Sequence, residues 1–279
     1  MEWKYNYHTH TDYCDGNGKP EAYVEAALKG DVKVLGFSSH APCPFETEWT
    51  MKPEKLAAYV QEIGRLRRLY AKDITILTGL EVDYIPYIIS PTDAFWEQWD
   101  LDFIIGSVHF LGKLSNGNYW TIDNTEDELR TGVLENFDND PKQAVLEYYT
   151  RVANLALRHK PDIIGHFDLI KKNNNGIFDT NEKWYKDVVL SALEGMKSVD
   201  TVLEINTGGI ARGRTDELYP ADWIIASAAK MNIPMTMNSD AHQPDQITAE
   251  FVSTLEKLPK LGVKSLWSFH GKGWREHPL

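Results

Sequence analysis

Hydrophobic positions along the chain follow two alternating patterns. Short runs of β-branched or aliphatic residues alternate with longer segments in which apolar residues recur at helical spacing. The short runs are mostly apolar throughout, which is typical of parallel strands buried on both faces. We predict eight strands, at 5–10, 33–39, 74–82, 103–108, 162–165, 201–205, 234–237 and 263–267. This alternation predicts repeated βα units and disfavours a helical bundle or a β-sandwich.

The clearest predicted helix covers 53–70, where a proline opens a segment with one apolar face. That face consists of Leu56, Val60, Ile63, Leu66 and Tyr70. Less regular helical patterns cover 20–28, 141–157, 182–196, 220–229 and 245–258. The stretch 111–140 is rich in Asn, Asp and Gly and is predicted to be a long excursion between elements.

The chain is expected to form one domain over residues 1–279, because neither an internal repeat nor a Gly/Ser-rich linker interrupts the series. Seven or eight βα units that close on themselves would form a barrel of the TIM type. An open doubly wound sheet would need a switch point that the sequence does not reveal. We therefore expect an α/β fold built as a single barrel.

Composition and charge narrow the possible partners. The chain has 42% hydrophobic and 25% charged residues, which is ordinary for a globular protein. Its formal net charge of -12 argues against a nucleic-acid partner bound through phosphates and suits metal cations or a cationic small molecule better.

Cellular location is predicted from two further features of the sequence. Cys14 and Cys43 are too few for a disulfide framework, and no charged-then-apolar leader opens the sequence. We therefore expect a cytoplasmic protein. No window approaches the roughly 18 apolar residues of a spanning helix, so we expect no membrane role.

Histidines and acidic residues stand where the predicted strands end. These residues are His8, His10, His40, Glu81, His109, His166, Asp240 and His242. In a parallel barrel the carboxyl ends of all strands meet on one face, so these side chains are expected to converge there. A single histidine at a strand end is more often a hydrogen-bonding residue than a metal ligand. Eight such placements at successive strand ends are hard to attribute to chance.

Metal binding is the chemistry that this set predicts. The rings of His8 and His10 share one face of a strand because residues two apart point the same way. Imidazole and carboxylate ligands suit Zn, Mn or Fe better than Ca or Mg. The candidate ligands outnumber the roughly four to six that one ion accepts, so we expect more than one ion.

Six motifs resemble, in order, those of the polymerase and histidinol phosphatase (PHP) family: HTHTDYCDG, FSSHAP, GLEVDY, GSVHF, GHFDLIKK and NSDAH. The resemblance spans nearly the whole chain. The forms FSSHAP, GLEVDYIP, GSVHF and GHFDLIKK look like the histidinol-phosphate phosphatase branch. This resemblance implies a distorted barrel of seven βα units around a trinuclear metal site, and hence two or three divalent transition-metal ions, Zn, Fe or Mn.

The resemblance also implies a set of ligands for each ion. The first set is His8, His10, Glu81 and Asp240. The second is Glu81, His109 and His166, with Glu81 bridging, and the third is Asp15, His40 and His242. Without the resemblance, Asp15 in DYCDG would be interpreted as part of an ordinary Asx turn.

A phosphatase mechanism follows from such a cluster. Clustered divalent ions lower the pKa of a shared water and clamp the phosphoryl oxygens during in-line attack by the bridging hydroxide. No protein nucleophile is then needed, and Asp240 or His242 is the candidate general acid. Arg212 and Arg214 follow a predicted strand and are candidates to clamp the phosphate, although either could instead be a solvated surface residue. The resemblance implies that one arginine after this strand binds phosphate, and the spacing leaves the choice between Arg212 and Arg214 open.

The leading hypothesis is hydrolysis of L-histidinol phosphate to L-histidinol and phosphate, a step of histidine biosynthesis. One alternative is a PHP-family phosphoesterase acting on another phosphomonoester. An alternative of another class is a catalytically silent metal-binding scaffold, against which the intact set of ligands argues. The sequence leaves open the metal identity, the oligomeric state and the residues that recognise the imidazole and amine. Candidates for that recognition are Trp49, Asp83, Phe110, Trp120 and Asp168.

Overall fold

A barrel of parallel strands organises the structure, a computed structural model that describes residues 2–279. The strands, in chain order, are β1 (Tyr5–Asn6), β2 (Val34–Phe37), β3 (Thr75–Asp83), β4 (Phe103–Ser107), β5 (Phe110–Lys113), β6 (Tyr119–Thr121), β7 (Ile163–Ile164), β8 (Val202–Asn206), β9 (Met235–Asn238), β10 (Ser265–Phe269) and β11 (Trp274–Pro278). Seven of them form one sheet in the order β1-β2-β3-β4-β7-β8-β9, and neighbouring strands are parallel.

The sheet closes between β9 and β1 with few backbone bonds. Just beyond the carboxyl ends of the two strands, His10 N donates to Ala241 O at 2.8 Å. Closer to the strands themselves, Tyr7 N donates to the side-chain oxygen of Asn238 at 2.8 Å, and the Asn6 side chain donates to Ser239 Oγ at 2.8 Å. Because side chains replace part of the ladder, the barrel is distorted and nearly closed. The expected barrel of seven βα units is confirmed.

Helices surround the barrel. They are α1 (Pro20–Lys29), α2 (Leu56–Leu69), α3 (Glu126–Asn136), α4 (Pro141–Asn154), α5 (Lys183–Met196), α6 (Gly208–Ala211), α7 (Asp222–Lys230) and α8 (Phe251–Lys257). Proline stands in the first turn of α1 and α4, where its missing N–H costs no helical hydrogen bond. The helix predicted over 53–70 begins with a 3₁₀ turn and buries Leu56, Tyr59, Ile63 and Leu66. No helix of the described chain is long and apolar enough to cross a bilayer.

The predicted excursion at 111–140 contains regular structure. Strands β5 and β6 form an antiparallel hairpin, and α3 follows it. The side chain of Thr125 caps α3 by accepting a hydrogen bond from Glu128 N at 3.1 Å. Trp120 is completely buried beside this helix, where Gly132 makes room for its ring. The Asn and Gly residues of this stretch mark the hairpin turn, so composition alone concealed the elements on either side.

The eighth predicted strand, at 263–267, is not a barrel strand. It overlaps the first part of β10, which pairs antiparallel with β11. This hairpin packs against the interior of the barrel, where Phe269 contacts a cluster that includes Tyr7 and Phe103. The Tyr7 hydroxyl donates to Phe269 O at 3.1 Å. The hairpin therefore covers the barrel end opposite the carboxyl ends of the strands, and seven strands suffice to close the barrel.

Candidate metal centre

The nine residues predicted as metal ligands lie together at the carboxyl ends of the barrel strands. Glu81 belongs to β3, and the other eight stand in the segments that follow β1, β2, β4, β7 and β9. Four overlapping groups place one ligand atom per residue within 4.8 Å of one another. The groups are His10, Asp15, His40 and His242; His8, Glu81 and His166; His8, His10 and Asp240; and His40, Glu81 and His109.

Glu81 occupies the centre of this cluster. Its Oε2 lies 3.1 Å from His8 Nε2 and 3.0 Å from His40 Nδ1. Its Oε1 lies 2.9 Å from His166 Nε2 and accepts a hydrogen bond from Ser107 Oγ at 2.6 Å. Each oxygen of one carboxylate thus faces a different part of the cluster, which is the arrangement that a bridging ligand needs.

Asp240 lies beside the first histidine pair. Its Oδ1 is 3.1 Å from His10 Nε2 and 3.6 Å from His8 Nε2, while its Oδ2 accepts a hydrogen bond from Arg212 Nη2 at 3.0 Å. The backbone of Asp240 has a φ of 48°, in the left-handed region that residues other than glycine rarely adopt. Such strain often occurs at functional sites, where the surrounding structure enforces it.

Asp15 reaches the outer side of the cluster. Its Oδ2 lies 3.2 Å from His242 Nε2, and its Oδ1 lies 3.7 Å from His40 Nε2. The next residue, Gly16, packs directly against the His10 backbone, where a Cβ atom would come within 2.4 Å of main-chain atoms. This close approach explains how an apparent Asx turn directs its carboxylate at the histidines.

The burial of these groups fits metal ligation. Glu81 and Asp240 are buried, and a buried carboxylate requires neutralising partners. Three histidines of the cluster have a buried ring nitrogen that makes no hydrogen bond of normal geometry: His10 Nε2, His40 Nδ1 and His166 Nδ1. The first two nevertheless lie 3.1 and 3.0 Å from carboxylate oxygens. Unpaired buried polar atoms are rare in proteins, so orphaned ring nitrogens near carboxylates suit ligands of divalent ions.

The protonation states of Glu81, Asp240 and His10 suit metal binding. Burial disfavours a charged His8, but the surrounding carboxylates raise the pKa of that ring, so it must lose a proton to become a ligand. Burial would raise the pKa of Glu81, but the positive charge of His40 and His8 holds it well below the usual range. Burial likewise opposes ionisation of Asp240, yet Arg212 and His8 keep its pKa low. Burial and the neighbouring His242 lower the pKa of His10 to about 3. Anionic carboxylates and a neutral imidazole are the forms that bind metal ions.

Comparison with known proteins adds an independent observation. The PHP domain model matches residues 6–208. The chain belongs to the PHP domain family. The resemblance identified from the motifs is therefore confirmed.

Curated relatives extend the match beyond that domain. A "Probable histidinol-phosphatase" of Deinococcus radiodurans is 32% identical over 268 residues, with 95% of this chain and 96% of the relative covered. The histidinol-phosphatase of Bacillus subtilis is 29% identical over 272 residues, with 90% and 97% covered. The structure of the Lactococcus lactis histidinol phosphate phosphatase, complexed with zinc, L-histidinol and phosphate, superposes with a TM-score of 0.77 at 20% identity, covering 98% of each chain. That structure shares the fold of this PHP-domain chain.

The two candidate phosphate-binding arginines have different positions. Arg212 follows α6, and its guanidinium contacts the side chain of Asp240 and lies 2.7 Å from His242 Nδ1. Arg214 is exposed and lines the outer part of the cavity above the cluster. The structure therefore brings Arg212 to the cluster and leaves Arg214 at the rim.

Glu204 is a residue of the site that the sequence analysis did not identify. Its buried carboxylate lies beneath the cluster, with Oε1 2.7 Å from His8 Nδ1. A single acid between the apolar residues Leu203 and Ile205 of β8 was the available signal, since a buried charge in a strand needs a specific partner. Asp83, a candidate for substrate recognition, instead contacts His109 Nδ1 at 2.9 Å.

A cavity of about 950 Å³ opens above the cluster. Its wall is rich in aromatic and acidic side chains: Phe45, Trp49, Phe110, Tyr119, Glu46, Glu48, Asp123 and Glu128. The rings of Phe45 and Tyr119 stack at 4.1 Å, and the Trp49 ring lies 4.4 Å from that of His40. Trp120 and Asp168, which were candidates for substrate recognition, are fully buried and do not line this cavity.

Proposed function

We propose that this PHP-domain protein is a metal-dependent phosphatase that hydrolyses L-histidinol phosphate to L-histidinol and phosphate, a step of histidine biosynthesis. The observation that carries the proposal is the carboxylate of Glu81 among five histidines, with Arg212 at the edge of the same cluster. Relatives named histidinol-phosphatase cover most of the chain and support the choice of substrate.

The site is proposed to hold two or three ions of Zn, Fe or Mn. When bound, such ions supply Lewis-acid activation of water and neutralise charge on the phosphoryl group. The proposed ligands of the first ion are His8, His10 and Asp240, which form one close group, together with Glu81, whose Oε2 lies 3.1 Å from His8 Nε2. The second ion is proposed to take Glu81, His109 and His166, because the Nε2 atoms of the two rings lie 3.7 and 2.9 Å from Glu81 Oε1. The third is proposed to take Asp15, His40 and His242, whose ligand atoms belong to one close group. The zinc in the Lactococcus structure supports a transition metal of this class.

Arg212 is proposed to bind the phosphate. Its guanidinium is a planar fork that suits two oxygens of a phosphate monoester. Asp240 and the ring of His242 hold this fork at the edge of the cluster. Arg214 is the weaker candidate, because its side chain is exposed at the cavity rim.

His242 is the better candidate for the general acid. The nearby guanidinium of Arg212 helps keep the pKa of Asp240 low despite burial, so Asp240 stays charged and has no proton to donate. His242 lies at the cavity edge, with its side chain 21% exposed, where a leaving alkoxide could reach it. A ring nitrogen that donates a proton cannot ligate an ion at the same time, so the ion content of His242→Asn would separate the two roles.

The cavity wall is proposed to recognise the cationic end of histidinol phosphate. Trp49 and Phe45 offer flat aromatic faces near the cluster, which suit an imidazole ring or an ammonium group. Glu46 and Glu48 add carboxylates on the same side of the cavity. The net charge of -12 supports a small cationic ligand over a nucleic acid.

We also propose that residues 1–279 act as one domain, because the hairpin of β10 and β11 packs into the barrel through Phe269.

Phosphate release from L-histidinol phosphate, measured beside a panel of other phosphomonoesters, tests the proposed activity. Metal-stripped protein is the control. A strong, metal-dependent preference for histidinol phosphate supports the proposal, whereas a preference for another ester would retain the metal chemistry and discard the substrate. If the fully metallated protein hydrolyses none of these esters, the result favours a catalytically silent scaffold.

A further inference from the structure

Glu204 binds four hydrogen-bond donors inside the barrel, beneath the metal ligands. Its Oε1 faces His8 Nδ1 at 2.7 Å and accepts from Asn238 Nδ2 at 2.9 Å. Its Oε2 accepts from His166 N at 2.8 Å and from Asn206 Nδ2 at 3.0 Å. Glu204 is completely buried, and these four partners stabilise an ionised carboxylate that has no access to water.

This arrangement selects one tautomer of His8. An ionised carboxylate only accepts hydrogen bonds, so Nδ1 of His8 must carry a proton and donate a hydrogen bond to Glu204. The other ring nitrogen, Nε2, faces the cluster with Glu81 Oε2 3.1 Å away, and it becomes the ligand atom once its own proton has left. A histidine held in this way is fixed in the form and orientation that ligate a metal ion.

Asp83 holds His109 in the same manner. Its Oδ1 faces His109 Nδ1 at 2.9 Å and also accepts from the His109 backbone N–H at 3.2 Å. The other ring nitrogen, Nε2, lies 3.7 Å from Glu81 Oε1. Asp83 stands two residues after Glu81 in β3, so both side chains project from the same face of that strand.

The two supported histidines belong to different ligand groups. His8 belongs to one group with His10 and Asp240 and to another with Glu81 and His166, whereas His109 belongs to a group with His40 and Glu81. Among the described residues, no group contains both His8 and His109. We propose that Glu204 and Asp83 are positioning residues that control the affinity of two separate metal positions, one at His8 and one at His109. This inference rests on the metal centre of the proposed function. It adds that two metal positions in that centre depend on different buried carboxylates.

The test measures metal binding to the purified full-length variants Glu204→Gln and Asp83→Asn. Ion content is determined by elemental analysis, and zinc affinity by competition with a chelator. We expect each variant to bind one ion about 10- to 100-fold more weakly while the remaining ions bind as in the wild type. Turnover should recover in excess zinc, which a merely structural defect would not allow.

Asp168→Asn is the matched control. Asp168 is also a fully buried carboxylate, but it pairs with Lys171 at 3.0 Å and accepts from Ala221 N at 2.9 Å, outside the four ligand groups. This control should lower the melting temperature and keep the full ion content. If Glu204→Gln fails to fold, Glu204→Asp takes its place.

Wild-type zinc affinity in both positioning variants would overturn the inference, and so would loss of all ions together in either one. The test measures metal binding and not turnover. Failure of the wild type to hydrolyse histidinol phosphate would therefore reject the proposed substrate without affecting the conclusion about Glu204 and Asp83.

Discussion

Glu81 and His8 meet at the centre of the barrel mouth, with 3.1 Å between Glu81 Oε2 and His8 Nε2. The two residues come from β3 and from the segment after β1, strands that do not pair with each other. Their contact therefore depends on the curvature of the whole barrel. The same carboxylate also faces His40 and His166. Glu81 and these three histidines come from four separate places in the chain.

Glu81→Gln should abolish turnover and leave the fold largely intact. The amide keeps the size of the side chain and removes the negative charge that a bridging ligand supplies. We expect phosphate release to fall by more than about 100-fold, since a ligand should matter at least as much as the groups that orient it. Circular dichroism would check the fold, and full activity in this variant would exclude the bridging role.

Arg212→Ala and Arg214→Ala should differ sharply in activity. The guanidinium of Arg212 contacts Asp240 at the cluster, whereas Arg214 is exposed. We expect kcat/KM to fall about 10²- to 10³-fold in the first variant, as when a donor to developing charge is lost. The second variant should change it by less than about threefold. Equal losses in steady-state assays would show that phosphate binding is shared.

Metal binding to the stripped protein should release protons. Burial lowers the pKa of His109, but the Asp83 carboxylate outweighs it and raises the pKa to about 10. The ring is therefore protonated near about pH 8 and must lose a proton to become a ligand, so metal affinity should rise with pH toward about pH 10.

Calorimetric titration of zinc in two buffers with different ionisation enthalpies would detect that proton. A buffer-independent enthalpy would show that the site is already deprotonated.

Histidines outside the cluster should be dispensable for metal binding. His159 contacts Thr92 at 2.7 Å, and both His270 and His277 contact Ser268 on the far hairpin. We expect His159→Gln, His270→Gln and His277→Gln to keep wild-type ion content and nearly unchanged turnover. Elemental analysis provides the check. Loss of an ion from any of these three variants would show that the metal ions bind outside the proposed cluster.

Much of this site could be predicted from the sequence for a simple geometric reason. His40, His109 and His166 each follow a largely apolar run, and a parallel barrel brings the ends of all such runs to one face. Local patterning thus predicted a barrel of seven or eight βα units and the convergence of its ligands, and the motif resemblance reduced the number of units to seven. The motifs added Asp15, whose local pattern predicts only a turn.

Tertiary structure alone decided which groups support those ligands. Glu204 lies 196 residues from the His8 ring that it contacts, and no local pattern encodes that pairing. The choice between Arg212 and Arg214 likewise depends on the path of the short α6, which directs one guanidinium at Asp240. The run at 263–267 pairs with β11 and not with the barrel. Hydrophobic patterning specifies which residues are buried, whereas long-range packing specifies the groups that each buried side chain meets.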